Sequence, residues 1–277
     1  MDLSIQALIL GLVQGLTEFI PVSSSGHLIL VPAAMGWTDP FITSLLFSVV
    51  LHMGTLVALL VYFWRDWAVL IPAGLASIRD RSLMDDPDRK LAWLLVVATI
   101  PAVIVGPLFN DAVEDAIRRP AEVAAMLCVG AAILWLADRW GTKVREMESM
   151  TFRGALYIGI AQVLALFPGI SRSGISIATG LFEGLNREAA ARFAFLMATP
   201  VVAGSGIWEA RKLIGQPNLT SEMRLMAIGF IAAAAAGILA IHFMLLFLKR
   251  QPLTGFVVYR VAVAAAVFVV LNSPHGA

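Results

Sequence analysis

The chain alternates between long apolar blocks and short polar interruptions, and the length of each block predicts the element it forms. Residues 41–63, 91–109, 121–137, 189–208, 225–248 and 254–272 carry few charges. Each reaches or approaches the ~20 apolar residues that a helix needs to cross a bilayer. They predict six membrane-spanning helices. Residues 3–31 and 154–182 are as apolar but broken, the first by Glu18, Pro21, Ser23, Ser24, Ser25, Gly26 and His27, the second by Pro168, Gly169, Ser171, Arg172, Ser173 and Gly174. Each half of a broken segment is too short to cross. Irregular backbone at membrane depth persists only where protein or a wet cavity covers it. Both segments therefore predict re-entrant helix–loop–helix hairpins. The polar stretch 64–90, with Asp80, Asp85, Asp86, Pro87 and Asp88, is expected to be a solvated connection.

The two broken segments are copies of one another. A shift of 148 residues lays Ala7, Leu8, Gly11, Gln14, Leu16, Phe19, Ser23, Ser25 and Gly26 on Ala155, Leu156, Gly159, Gln162, Leu164, Phe167, Ser171, Ser173 and Gly174. Each copy is followed by three spans. The expected fold is thus all-α and membrane-embedded, one domain over 1–277 made of a first repeat (1–138, hairpin 3–31) and a second (139–277, hairpin 154–182). Three spans per repeat is odd, so the hairpins enter from opposite faces: an inverted-topology repeat, which builds its site where the broken helices meet. Between spans, one side holds Arg65, Arg79, Arg81, Arg89, Lys90, Arg139, Lys143, Arg145, Arg153, Arg187, Lys249 and Arg250, the other Arg118, Arg119, Arg211, Lys212 and Arg224. The cation-rich side is expected to be cytoplasmic and both termini outside.

Composition agrees with this frame. Of 277 residues, 59% are hydrophobic and 14% charged, and the mean hydropathy is +0.84, too apolar for a soluble domain of this length. A net charge of +1 without a basic cluster excludes nucleic acid as a partner. Cys128 is the only cysteine, which excludes an internal disulfide and a cysteine zinc site. The N-terminus lacks the positive flank of a signal peptide.

The polar breaks carry the chemistry. Gln14 and Glu18 are four residues apart and share a helix face. A carboxylate in an apolar segment is costly unless a metal, a proton or a cation compensates it. Ser23, Ser24, Ser25 and Gly26 open a returning half-helix whose free N–H groups and dipole favour phosphate, and His27 lies on its first turn. Such a histidine can attack phosphorus or donate a proton. Arg172 needs an anion at depth, either phosphate oxygens or Glu18, and Ser171 and Ser173 mark a second helix start beside it. One carboxylate, one imidazole, one guanidinium and several hydroxyls suit phosphoryl transfer. A hard divalent cation, Mg²⁺ or Ca²⁺, is expected on Glu18 and Gln14. The bland readings are capping serines and a core histidine. His52 has equal claims as a core or a site residue; His242 and Arg260 are expected to pack, snorkel or pair. Trp64, Trp67, Trp135 and Trp140 fit an interfacial belt, the alanines at 232–236 close packing, Glu183, Arg187 and Glu188 a solvated turn, and His275 a frayed tail.

At these motifs, Gln14-Gly-Leu-Thr-Glu18 with Pro21-Val-Ser-Ser-Ser-Gly-His27, and Pro168-Gly-Ile-Ser-Arg-Ser-Gly-Ile-Ser176, the chain resembles the undecaprenyl-pyrophosphate phosphatase (bacitracin-resistance) family over essentially its whole length. Leu51-His-Met-Gly-Thr55 is similar to that family's first span. Gln14 and Ser48 stand where acids are common, and Ser176 where a threonine is. The resemblance implies hydrolysis of undecaprenyl pyrophosphate to undecaprenyl phosphate and inorganic phosphate, recycling the carrier for cell-wall synthesis. It implies a divalent cation and a site opening to the outer face of the bacterial plasma membrane. It points to Gln14, Glu18, Ser24, His27, Ser171 and Arg172 as site residues, with Ser23, Ser25, Gly26, Ser173 and Ser176 completing the phosphate cradle. The expected partners are a polyprenyl pyrophosphate lipid, the bilayer and a second copy as homodimer. The alternative is a polyprenyl lipid flippase, since broken helices in an inverted repeat are a transporter device. A third class, type 2 phosphatidic-acid phosphatases, needs a histidine shortly after its Ser-Arg, and 173–200 contains none.

Overall fold

In the computed structural model, which describes residues 1–83, 86–116, 119–210 and 219–273, eleven α-helices follow in order. They are α1 (Leu3–Phe19), α2 (Ser24–Met35), α3 (Leu45–Tyr62), α4 (Trp64–Asp80), α5 (Pro87–Ala116), α6 (Pro120–Trp140), α7 (Phe152–Gln162), α8 (Arg172–Phe182), α9 (Arg187–Ala210), α10 (Leu219–Leu248) and α11 (Thr254–Leu271). Short polar side chains start several of them: Asp2 Oδ1 accepts from Ser4 N at 2.7 Å, Ser44 Oγ from Phe47 N at 3.0 Å and Thr151 Oγ1 from Gly154 N at 3.1 Å. Asp85, Arg118, Arg211, Lys212 and His275 lie outside the described residues.

Six helices, α3, α5, α6, α9, α10 and α11, are long and apolar enough to cross a bilayer. The protein is an all-α, multi-pass integral membrane protein. The broken segments form two helix–loop–helix hairpins, α1–α2 and α7–α8, the latter with a 3₁₀ turn at Val163–Leu166. The expectation for 64–90 is corrected. Residues 64–80 are helical: Ala68 to Ile78 is a largely apolar stretch between charged ends, interrupted only by Ser77 and carrying Pro72 within the helix. Leu70 and Ser77 face inward, where Trp93 Nε1 donates to Ser77 Oγ at 2.7 Å, while Val69, Ile71, Leu75 and Ile78 face out. The α5 and α10 helices also outrun their apolar blocks, at 30 residues each.

Glycine and alanine set the packing of the hairpins. The α1 helix lies along α10: a methyl on Gly11 would sit 2.7 Å from Ala232 Cβ, and one on Gly15 2.6 Å from Ala236 Cβ. Both pairs advance together, so α1 runs parallel to α10. The expected close packing of the 232–236 alanines is this contact. On the other side α7 lies along α5. Lys90 Nζ donates to Glu148 O at 2.9 Å before α7, and Gln162 Nε2 to Ala98 O at 3.1 Å near its end, so this pair is parallel as well. The remaining main seams join α3 to α10 and to α9, and α6 to α11.

One end of the bundle gathers the charged connections. A cleft of about 410 Å³ there is lined by Asp66, Lys90, Glu148, Glu188 and Arg192 among others. Arg187 Nε donates to Asp138 Oδ1 at 2.6 Å, Leu253 N to Asp138 Oδ2 at 3.0 Å, Lys249 pairs with Glu188 at 3.2 Å and Arg192 pairs with Asp66. The turn at 183–188 is thus tied into the bundle rather than simply solvated, and Arg145 bridges it to a short 3₁₀ turn at Met147–Ser149, donating from Nη1 to Glu183 O at 2.8 Å and from Nε to Ser149 Oγ at 3.2 Å.

The α1–α10 seam predicts a stability difference. Gly15→Ala places a methyl 2.5 Å from Ala233 O, whereas one on Gly204 meets nothing within 4 Å. Overpacking of this kind costs about 1–3 kcal/mol. Gly15→Ala is expected to lower the melting temperature in detergent by roughly 3–10 °C, and Gly204→Ala to leave it unchanged or raised.

Candidate active site

The tips of the two hairpins meet, and serine geometry explains how. Ser23 and Ser171, equivalent under the 148-residue shift, cap α2 and α8 with φ of 77° and 76°. That region is unfavourable for a side-chain-bearing residue, about 1–3 kcal/mol each, and such strain concentrates at functional loops. Ser23 Oγ accepts from Gly26 N of its own helix at 3.3 Å and from Gly169 N of the opposite loop at 3.1 Å. Ser171 Oγ accepts from Gly174 N at 3.1 Å, and Ser173 Oγ donates to Ile20 O at 3.4 Å. In each loop the two serines flanking the first helical residue lie side by side: Ser23–Ser25 at 3.4 Å and Ser171–Ser173 at 3.2 Å.

The first residues of the two returning helices both grip Glu18. Ser24 Oγ donates to Oε2 and Arg172 Nη2 to Oε1, each at 2.5 Å. Gln14 Nε2 adds a bond to Oε2 at 3.1 Å, and His52 Nε2 stands 3.7 Å from the same oxygen. The ion pair offered as the alternative partner for Arg172 therefore exists. Its ends differ: the Glu18 side chain is 4% exposed and that of Arg172 20%, so the guanidinium is the more accessible end. His52 does both things expected of it, donating Nδ1–H to Ser48 O at 2.8 Å and turning Nε2 toward Glu18.

His27 is buried one turn into α2 and bonds neither Glu18 nor Arg172. Its Nδ1 lies 2.7 Å from Ser23 O and its Nε2 2.8 Å from Tyr259 Oη. A carbonyl only accepts, so Nδ1 carries the proton and Nε2 the lone pair. An orienting role for Glu18 toward this ring is not what the geometry has; the Ser23 carbonyl and Tyr259 take it. Ser176 is buried one turn into α8, and its Oγ has no protein partner. Gln14 Oε1 and Gln162 Oε1 are likewise buried without one.

Arg260 is what sequence reasoning undervalued. It is wholly buried, and of the expected packing, snorkelling or pairing it packs and pairs: Nη1 donates to Pro21 O at 3.2 Å and Nη2 to Gly169 O at 2.7 Å and Ile170 O at 3.0 Å, all loop carbonyls, and Nε to Leu127 O of α6 at 3.2 Å. Gly130 makes room; a Cβ there would overlap Nη2. The loop carbonyls have no helix to satisfy them, and each left alone in an apolar setting costs several kcal/mol. Tyr259 and Arg260 sit outside both polar breaks, and a charged residue inside the last span was the one signal for them.

A family model described as bacitracin resistance protein BacA matches residues 7–266. The chain belongs to the BacA family. Relatives named undecaprenyl-diphosphatase include that of Desulforudis audaxviator, 43% identical over 96% of this chain and 97% of its own length. Those of Moorella thermoacetica (42%, over 96% and 97%) and Rubrobacter xylanophilus (43%, over 96% and 98%) are similar. The BacA match runs from within α1 to within α11 and includes the tips of both hairpins and the Tyr259–Arg260 pair.

The Arg260 hub predicts a loss out of proportion to its size. Arg260→Met leaves buried loop carbonyls unpaired and is expected to cost about 3–5 kcal/mol, while Val261→Met, beside it on the outer face, costs less than about 0.5 kcal/mol. Thermal melts in detergent check both, and equal melting temperatures would contradict the role of the guanidinium.

Proposed function

We propose that the chain hydrolyses undecaprenyl pyrophosphate to undecaprenyl phosphate and inorganic phosphate at the meeting point of the two hairpins. The observation that carries the site is the double grip on Glu18 by Ser24 and Arg172, the first residues of two helices whose positive ends converge there. A diphosphate is the ligand that two helix N-termini, four cap-side serines and an accessible guanidinium jointly suit. The names of the relatives support this substrate, and none supports transport.

The residues divide the work. Arg172 and the N–H groups at the starts of α2 and α8 neutralise the terminal phosphate, most of all as charge shifts onto its oxygens in the transition state. Ser23, Ser25, Gly26, Ser171 and Ser173 shape the cradle, and Ser176 supplies a buried hydroxyl one turn below it. His27 carries its lone pair on Nε2, 2.8 Å from Tyr259 Oη, so it acts as base through that hydroxyl, or as nucleophile once that bond is given up. Glu18 holds Arg172 and Ser24 in register. A divalent cation, Mg²⁺ or Ca²⁺, would be held by Glu18 and by Gln14 Oε1, which is buried without a partner among the described residues; Glu18 would give up part of its bonding to Ser24, Arg172 and Gln14 Nε2 to take it. When bound, it would screen the pyrophosphate charge.

The reading extends to topology. It takes 1–138 and 139–277 as inverted repeats with re-entrant hairpins. The parallel seams α1–α10 and α7–α5 support this, because α10 and α5 cross in opposite senses when six spans alternate. With the charged cleft on the cytoplasmic side, α1 enters from outside, the termini are external and the site opens to the outer face of a bacterial plasma membrane, with the prenyl tail left in the bilayer.

Phosphate release from undecaprenyl pyrophosphate by purified protein is the test. Arg172→Ala and His27→Ala are each expected to lower kcat by about 10²–10³, and a chelator to abolish turnover in the wild type. Wild-type rates in both variants would overturn the assignment.

A further inference from the structure

The mechanism needs a fixed imidazole, yet no carboxylate orients His27. Both of its nitrogens are nevertheless engaged: Nδ1–H by Ser23 O at 2.7 Å, Nε2 by Tyr259 Oη at 2.8 Å. The phenol ring also lies nearly parallel to the imidazole, 5.7 Å between centroids at 10°. The next residue in α11 is Arg260, pinned to four carbonyls, so the register of the tyrosine against the hairpin tips is set by the same guanidinium that joins them. Tyr259 itself is 44% exposed beside an almost wholly buried histidine, and has no other hydrogen-bond partner among the described residues. The bond satisfies the phenol and at the same time fixes the second nitrogen of the histidine.

We propose that Tyr259 is a positioning residue for the hydrolysis, acting through His27. A hydroxyl both donates and accepts. It donates to Nε2 while the imidazole is neutral; a proton reaches the ring through it, the hydroxyl passing its own proton to Nε2 as it takes one from the water side, after which it accepts from Nε2–H. The ring thus keeps its plane and its Nδ1–H tautomer as a proton comes and goes. A carboxylate in that place would favour the charged ring alone and bring a second buried anion next to a diphosphate. The phenol orients without charge.

This rests on the hydrolytic reading and on His27. Tyr259→Phe keeps the ring stack and removes only the hydroxyl. Its kcat for undecaprenyl pyrophosphate is expected to fall about tenfold or more with KM within about twofold, and its melting temperature to stay at the wild-type value. The double variant His27→Ala/Tyr259→Phe is expected to be no slower than His27→Ala alone, because the phenol has nothing left to position. A Tyr259→Phe enzyme with wild-type kcat would overturn the proposal, as would losses that multiply in the double variant. If His27→Ala itself turns over normally, the hydrolytic role of His27 fails instead, so the two failures are told apart.

Discussion

One buried cation holds this molecule's two halves to a common point. Among the described residues Arg260 has no carboxylate in contact; its charge is spread over the carbonyls of Pro21, Gly169, Ile170 and Leu127. Those carbonyls belong to the two interrupted loops and to the helix α6 between them. In an apolar interior neither side of that arrangement survives alone: the guanidinium would be an unsolvated charge, the loops a set of orphaned acceptors. Together they make irregular backbone tolerable at depth, and with it two helix starts that no soluble protein need hide so carefully. Gly130 is the cost in side-chain volume that α6 concedes to fit the guanidinium.

The tips that Arg260 joins are related but have diverged in a useful way. Ser23 and Ser171 repeat the same left-handed cap, and Ser24 and Arg172 occupy equivalent first positions. The first copy supplies the carboxylate and the imidazole, Glu18 and His27; the second supplies the guanidinium, Arg172. At the positions equivalent to Glu18 and His27 the second copy has Leu166 and Ile175. A symmetric duplicate would face two carboxylates, or two cations, across a small apolar gap. The asymmetry gives an ion pair with one sheltered and one more accessible end.

Much of this was legible in the chain. Block length decides the span count, because bilayer thickness leaves little choice, and all six blocks are helices in the structure. The paired motifs, read through the physics of helix starts, bring Glu18, Ser24 and Arg172 into one cluster. Three things were not legible, each for a physical reason. The α4 helix was hidden by the charges at its two ends, which drew attention from the apolar run between them. His52 looks like any span histidine bonded to its own helix, and only tertiary packing of α3 against the hairpin turns its free nitrogen to Glu18. Tyr259 and Arg260 lie more than eighty residues beyond the second motif in an apolar span, so their neighbours are set entirely by the α6–α11 seam.

The central claim is that both tips clasp one ligand. Amide hydrogen–deuterium exchange of the wild-type protein, with and without the non-hydrolysable methylene analogue of a prenyl pyrophosphate, reads this directly at the residue level. The account predicts protection of 23–27 and 169–174 together, with the same dependence on analogue concentration. Protection of one loop alone, or of neither while the analogue is bound, would contradict it.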